Sequence, residues 1–164
     1  MKWAWALFFM LPMAMAHDNP PALRLPTLDG QRLVTLASFH DRPVLLNFWS
    51  SSCVPCVREL PLLQAQSQTS AMAYVGVAID DPAPAAAFAR RAGVHYLQLA
   101  APPADGAVLL RRFGNRLGAL PYTVVLNRAH QPCAMRLGAV DTAWLAKAEQ
   151  ACSGHGDSQG DNHG

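Results

Sequence analysis

One segment constrains the chain more than any other, because three local signals meet in it. Val44-Leu45-Leu46-Asn47-Phe48-Trp49 is a nearly continuous apolar run of strand length. Such a run reads as a strand buried on both faces, as in a parallel sheet. Ser50-Ser51-Ser52 follows, and serines are suited to helix N-caps. Next come Cys53-Val54-Pro55-Cys56 and a helical stretch through Arg58, Leu62 and Leu63, bent by Pro61. A cysteine pair between a buried strand and a helix start is far more specific than the pair alone. The unpaired N–H groups and dipole of a helix N-terminus stabilise a negative sulfur. A cysteine so placed has its pKa lowered from about 8.5 to between roughly 3.5 and 7.5. Cys53 is therefore expected to be exposed and nucleophilic. Cys56, one turn later, is expected to be buried and to attack second. Pro55 suits a first helical turn, where no N–H partner is needed.

The rest of the chain alternates. Leu23 to Thr35 reads as a hairpin around Asp29-Gly30, with Pro26 at an edge. Ala73–Ile79 reads as a second buried strand, Pro82–Arg91 as a helix stopped near Gly93, and Tyr96–Leu99 as a weaker strand. Asp105–Phe113 is a further helix, Tyr122–Leu126 and Cys133–Leu137 are paired strands, and Asp141–Ala151 is a last helix capped by Asp141 or Thr142. Alternating β and α units argue for an α/β fold, a central sheet covered by helices. The length of 164 residues suits one such domain.

The start of the chain reads as a targeting segment. Lys2 precedes an apolar stretch from Trp3 to Ala16 that closes on Ala14-Met15-Ala16, a small-x-small pattern, before a polar run from His17. This is the layout of a secretory signal peptide spanning residues 1–16 and cleaved after Ala16. The competing reading, an uncleaved anchor, needs about 20 apolar residues, more than the stretch supplies. Residues 17–152 then form the domain, and Ser153 to Gly164, without apolar residues, reads as a disordered polar tail. The formal net charge of +2 points to neither nucleic acid nor an anionic membrane surface. Export makes lasting disulfides expected. A zinc knuckle at the CxxC would need two further ligands that the spacing does not supply, so no metal site and no cofactor are expected. His155 and His163 read as part of a solvated tail.

Taken together, the run Leu46-Asn47-Phe48-Trp49-Ser50-Ser51-Ser52-Cys53-Val54-Pro55-Cys56-Val57-Arg58-Glu59-Leu60-Pro61 resembles the active-site segment of the TlpA/ResA-like thioredoxin family. A later Gly118-Ala119-Leu120-Pro121-Tyr122-Thr123 matches that family's Gly-x-x-Pro-x-Thr segment. The resemblance spans about Leu23 to Ala151. It implies a thioredoxin-like fold, a central mixed β-sheet flanked by helices, here with an N-terminal β-hairpin extension. It also implies a cis Leu120–Pro121 peptide opposite the cysteines, in a loop that pairs with an incoming polypeptide and keeps metal off the thiols. The chain departs from the family at Ser52, where tryptophan is common. That alters the local contact surface, and a serine hydroxyl there would favour the thiolate.

The implied activity is that of an extracytoplasmic thiol–disulfide oxidoreductase, placed in the periplasm and expected to be a monomer. Its partners would be client proteins with cysteines or disulfides, such as apocytochrome c during haem attachment or the copper-site cysteines of an oxidase subunit. Electrons would come from a membrane thiol donor, and the oxidising direction would use the same residues. Client contact is expected at Trp49, Val54, Pro55 and Leu120. Proton transfer at the second cysteine needs an acceptor. Asp80, at the end of the second buried strand, resembles the buried acid of relatives, with Asp81 as its neighbour and competitor; Asp81 also reads as a helix N-cap. Glu59 lies one turn beyond Cys56 and reads equally well as a solvated helix face. An alternative from another class is a copper-handling chaperone using the two thiolates as soft ligands. It predicts nearby methionine or histidine ligands, and the segment has neither. A peroxidase would need an activating Thr and Arg around one cysteine, a pattern missing from the segment.

Cys133 and Cys152 read as a structural disulfide. About five strand residues carry the chain roughly 17 Å from Cys133 to Leu137. After a turn at Gly138–Asp141, the helix returns roughly 16 Å to Cys152, within bonding reach. Two buried free thiols, or a relay pair exchanging with Cys53, are the competing readings.

Overall fold

The structure is a computed structural model that describes residues 21–154. The signal segment 1–16, its cleavage after Ala16, the first residues of the domain and the tail from 155 onward lie outside the described residues, His155 and His163 included.

A hairpin comes first: β1 (Arg24–Pro26) pairs antiparallel with β2 (Leu33–Thr35). Its turn closes as expected around Asp29-Gly30, where Gly30 takes φ 71°, a left-handed conformation that suits glycine. The remaining elements are β3 (Val44–Trp49), α1 (Val54–Ser67), β4 (Ala73–Ala78), α2 (Pro82–Arg91), β5 (Leu97–Ala100), α3 (Pro103–Arg112), β6 (Tyr122–Leu126), β7 (Pro132–Leu137) and α4 (Thr142–Ser153). Helix α4 thus runs to Ser153, where a disordered tail was expected to begin, because Cys152 anchors its last turn.

The five-stranded sheet has the order β5-β4-β3-β6-β7. Strands β3, β4 and β5 run parallel, and β6 and β7 pair antiparallel. The mixed sheet between helices is the thioredoxin-like α/β fold. The hairpin docks on the β5 edge, where Leu28 N–H donates to Gln98 O at 3.0 Å and Thr27 bridges to Leu99.

Strand β3 is central, which explains why its sequence is apolar on both faces. Leu46 and Phe48 face a cluster built with the hairpin and α3. Leu45 and Trp49 face the other side, with Cys56, Leu60 and Leu63 of α1 and Leu145 and Ala148 of α4. Fully burying each such leucine stabilises the fold by about 1.5–3 kcal/mol. Asn47 sits between Leu45 and Trp49 and so faces the α1 side.

Candidate active site

The parallel strand β3 delivers the chain to the sheet edge at Trp49, and α1 begins at Val54, five residues later. The turn between them is held from β4. Asp80 Oδ1 accepts from Ser50 Oγ at 2.6 Å, and its Oδ2 accepts from the Ser51 N–H. The serines were expected to cap the helix, and the Ser52 hydroxyl to sit near the sulfur. Instead Cys53 itself is the N-cap, with φ −89° and ψ 103°, and Ser52 Oγ bonds Ser50 Oγ at 2.8 Å. The carboxylate of Asp80 draws the serines back toward β4. That leaves the cap position to the cysteine, and the Cys56 N–H donates to Cys53 Sγ at 3.3 Å.

Cys53 is half-buried and Cys56 is fully buried. The two are joined in a disulfide with S–S 2.11 Å and Cα–Cα 5.2 Å. Val54, 58% exposed, and Pro55, also exposed, form the surface beside the first sulfur.

The two candidate acids occupy different environments. Asp80 is half-buried, and its hydrogen bonds go to the serine turn, not to the thiols. Asp81 stands at the N-cap position of α2 without a side-chain capping bond. Glu59 is buried at 4% exposure, which overturns the solvated-face reading. Helix α1 lies flat over β3, so the position one turn after Cys56 points inward. Its Oε1 accepts from Asn47 Nδ2 at 2.7 Å and its Oε2 from the Val140 N–H at 2.9 Å. Burial pushes the Glu59 carboxyl above the ordinary range, and the Val140 N–H, the Asn47 amide and the Arg136 charge oppose that rise.

Leu120–Pro121 is a cis peptide. Pro121 is buried and Leu120 half-buried. Asn115 shapes the loop before them, donating from Nδ2 to Ala119 O at 2.7 Å and accepting from Gly118 N–H at 2.9 Å. The Gly138 N–H donates to Pro121 O at 2.8 Å. Trp49, expected at the client surface, is fully buried. Its Nε1 donates to Gln98 Oε1 at 2.9 Å and its ring lies 5.8 Å from that of Phe88, so it supports the site from beneath.

Sequence reasoning gave no role at the site to Asn47 and Thr123, which it quoted only as motif residues, nor to Gln98 and Asn115. One signal was available: a polar Asn47 inside an otherwise apolar central strand. Among the described residues no group of three or more His, Cys, Asp or Glu side chains could hold a metal ion. No helix there is long and apolar enough to cross a membrane. Cys133 and Cys152 form a second disulfide, S–S 2.02 Å and Cα–Cα 5.6 Å, between the start of β7 and the end of α4.

The chain is similar to known proteins in sequence and in fold. The chain is 32% identical over 127 residues to the thiol:disulfide interchange protein HelX of Rhodobacter capsulatus, covering 73% of this chain and 66% of that protein. It is 33% identical over 64 residues to the thiol:disulfide interchange protein DsbE of Pseudomonas fluorescens biotype C, covering 39% of this chain and 36% of that one. The chain thus spans about one third to just under two thirds of these relatives. Its fold matches a secreted thiol-disulfide isomerase from Corynebacterium glutamicum with a TM-score of 0.70 and 26% identity, over 80% of this chain and 82% of that one. The AhpC/TSA family model matches residues 16–144, most of the chain. The strand-to-CxxC segment, the thioredoxin-like sheet and this match agree, and the chain belongs to the AhpC/TSA family.

Proposed function

We propose that this protein is an extracytoplasmic thiol–disulfide oxidoreductase that reduces protein disulfides by dithiol–disulfide exchange at Cys53 and Cys56. The observation that carries this reading is the half-exposed Cys53 at the N-cap of α1, with the Cys56 N–H aimed at its sulfur. That N–H and the helix dipole favour a thiolate once the pair is reduced.

The chemistry follows in two exchanges. The Cys53 thiolate attacks one sulfur of a client disulfide, forming a mixed disulfide and releasing the other client sulfur as a thiolate. Buried Cys56 then loses its proton to Glu59, one turn along the same helix and itself buried. The Cys56 thiolate attacks Cys53 Sγ, releases the second client thiol and closes the Cys53–Cys56 disulfide. A membrane dithiol donor restores the pair, becoming a disulfide itself. In this reading Asp80 holds the turn before Cys53. Val54, Pro55 and Leu120 meet the client around Pro121, and Cys133–Cys152 staples α4. Clients of the apocytochrome c or copper-site type, a periplasmic location and a monomeric state complete the proposal. It draws support from the names of the relatives and from the targeting segment.

The test is reduction of insulin disulfides by the dithiol protein. Wild type should be active, Cys53→Ser inactive, and Cys56→Ser should accumulate a mixed disulfide with its client. A protein that leaves insulin intact yet takes up one equivalent of Cu(I) tightly is the copper module instead.

A further inference from the structure

We infer that Asn47 is a positioning residue for the exchange reaction: its side-chain amide holds the Glu59 carboxyl in the ionised, proton-accepting form. The inference rests on the proposed role of Glu59 as acceptor for the Cys56 proton.

Asn47 is fully buried in the central strand, a position where an apolar side chain is the rule. Its place in the sheet register explains its reach. Gly76, Asn47, Thr123 and Arg136 stand opposite one another on β4, β3, β6 and β7. They form a cross-strand row beneath α1, and Glu59 comes down onto it. Asn47 Nδ2 donates to Glu59 Oε1 at 2.7 Å and to Thr123 Oγ1 at 3.0 Å. Among the described residues its own Oδ1 has no hydrogen-bond partner. A buried orphan acceptor is disfavoured, so the amide orientation is set by what its nitrogen does. An ionised carboxylate only accepts, and both Glu59 oxygens are met by N–H donors, from Asn47 and Val140. This donor set fits the charged form.

Turning the amide over would face Oδ1 to Glu59, where it could accept from a protonated carboxyl. One side chain thus has a partner for each state of the acid. Among the described residues the other groups around Glu59 are few. Arg136 on β7 favours the charged form, and Tyr96, before β5, lies within electrostatic reach but is kept neutral by burial. Cys56 shares the Glu59 helix.

The experiment follows the Glu59 carboxyl carbon by NMR as pH is varied, alongside the pH dependence of mixed-disulfide resolution. Asn47→Leu removes the donor and should raise the proton affinity of Glu59 about tenfold, the scale of one charge-assisted hydrogen bond. The acidic limb of resolution should move up in parallel. In a Glu59→Gln background, Asn47→Leu should leave the limb where Glu59→Gln puts it. Thr123→Val, which removes the other partner of Nδ2, should shift the midpoint the same way by less, and it decides the matter if Asn47→Leu does not fold. An unchanged Glu59 midpoint in the folded variant overturns the inference, because a purely structural asparagine would alter stability without moving a titration. If Glu59→Gln alone keeps the wild-type resolution profile, the Glu59 assignment fails, while the NMR midpoints still judge the Asn47 contact separately.

Discussion

Replacing both Cys133 and Cys152 by alanine removes the disulfide that ties the start of β7 to the end of α4. The bond spans a sequence separation of 19. Closing a loop of that length in the unfolded chain is worth about 3 kcal/mol in the chain-entropy model. Cys152 is 1% exposed, so its lost sulfur also leaves a cavity. Roughly 20–25 Å³ of vacated volume adds about 0.5 kcal/mol. The expected loss is therefore about 3.5 kcal/mol, against a typical domain stability of roughly 5–15 kcal/mol. For a domain of this size that is a fall in Tm of about 10–15 °C. Equilibrium urea unfolding of the oxidised variant, followed by circular dichroism without reductant, measures it. The Cys53–Cys56 bond stays closed in both proteins and cancels. A loss under about 1 kcal/mol at unchanged urea dependence refutes the staple reasoning. A variant that stays folded but no longer reduces insulin points to a relay role for the pair.

Three further outcomes are expected. Glu59 has a folded pKa above its unfolded one, so its contribution to stability is full below the unfolded value and is lost as pH rises through the folded value. Glu59→Gln should therefore gain stability relative to wild type as pH rises above about 4.5, and urea unfolding at pH 4 and pH 7.5 should show a widening gap; a constant difference contradicts the burial argument. Asp80→Ala frees the Ser50 hydroxyl and the Ser51 N–H, which should cost about 1 kcal/mol and slow Cys53 alkylation. It should leave the acidic limb of mixed-disulfide resolution unmoved, and a shifted limb would return the proton role to Asp80. Val54→Asp, at an exposed position, should leave stability within about 0.5 kcal/mol while slowing exchange with apolar-flanked client disulfides; equal rates would remove Val54 from the client surface.

The elements were legible in the sequence because each obeys a local rule. β3 is apolar on both faces because it is central, and Gly30 turns the hairpin. Asp141 caps α4 by accepting from the Trp144 N–H at 2.7 Å, as its sequence position suggested. What escaped the sequence was set by packing across elements. Glu59 looks like any helix-surface acid until α1 is laid on β3, when it meets Asn47 from one strand and Val140 from a distant loop. Asp80 has the right strand end for a proton acceptor, but Ser50 and Ser51 take its hydrogen bonds. Trp49 stands four residues before Cys53 in sequence, yet the pleat turns its ring inward to Gln98. Local patterns cannot reveal such pairings, because each joins residues separated by more than ten positions.

The central claim is that α1 makes Cys53 the attacking sulfur. Its most direct test is timed alkylation of the reduced protein across pH, with each cysteine read by mass spectrometry. The account predicts that Cys53 is labelled first, with an apparent pKa well below the value of about 8.5 of a free thiol, and that Cys56 stays protected. Faster labelling of Cys56, or a Cys53 that titrates like a free thiol, would contradict it.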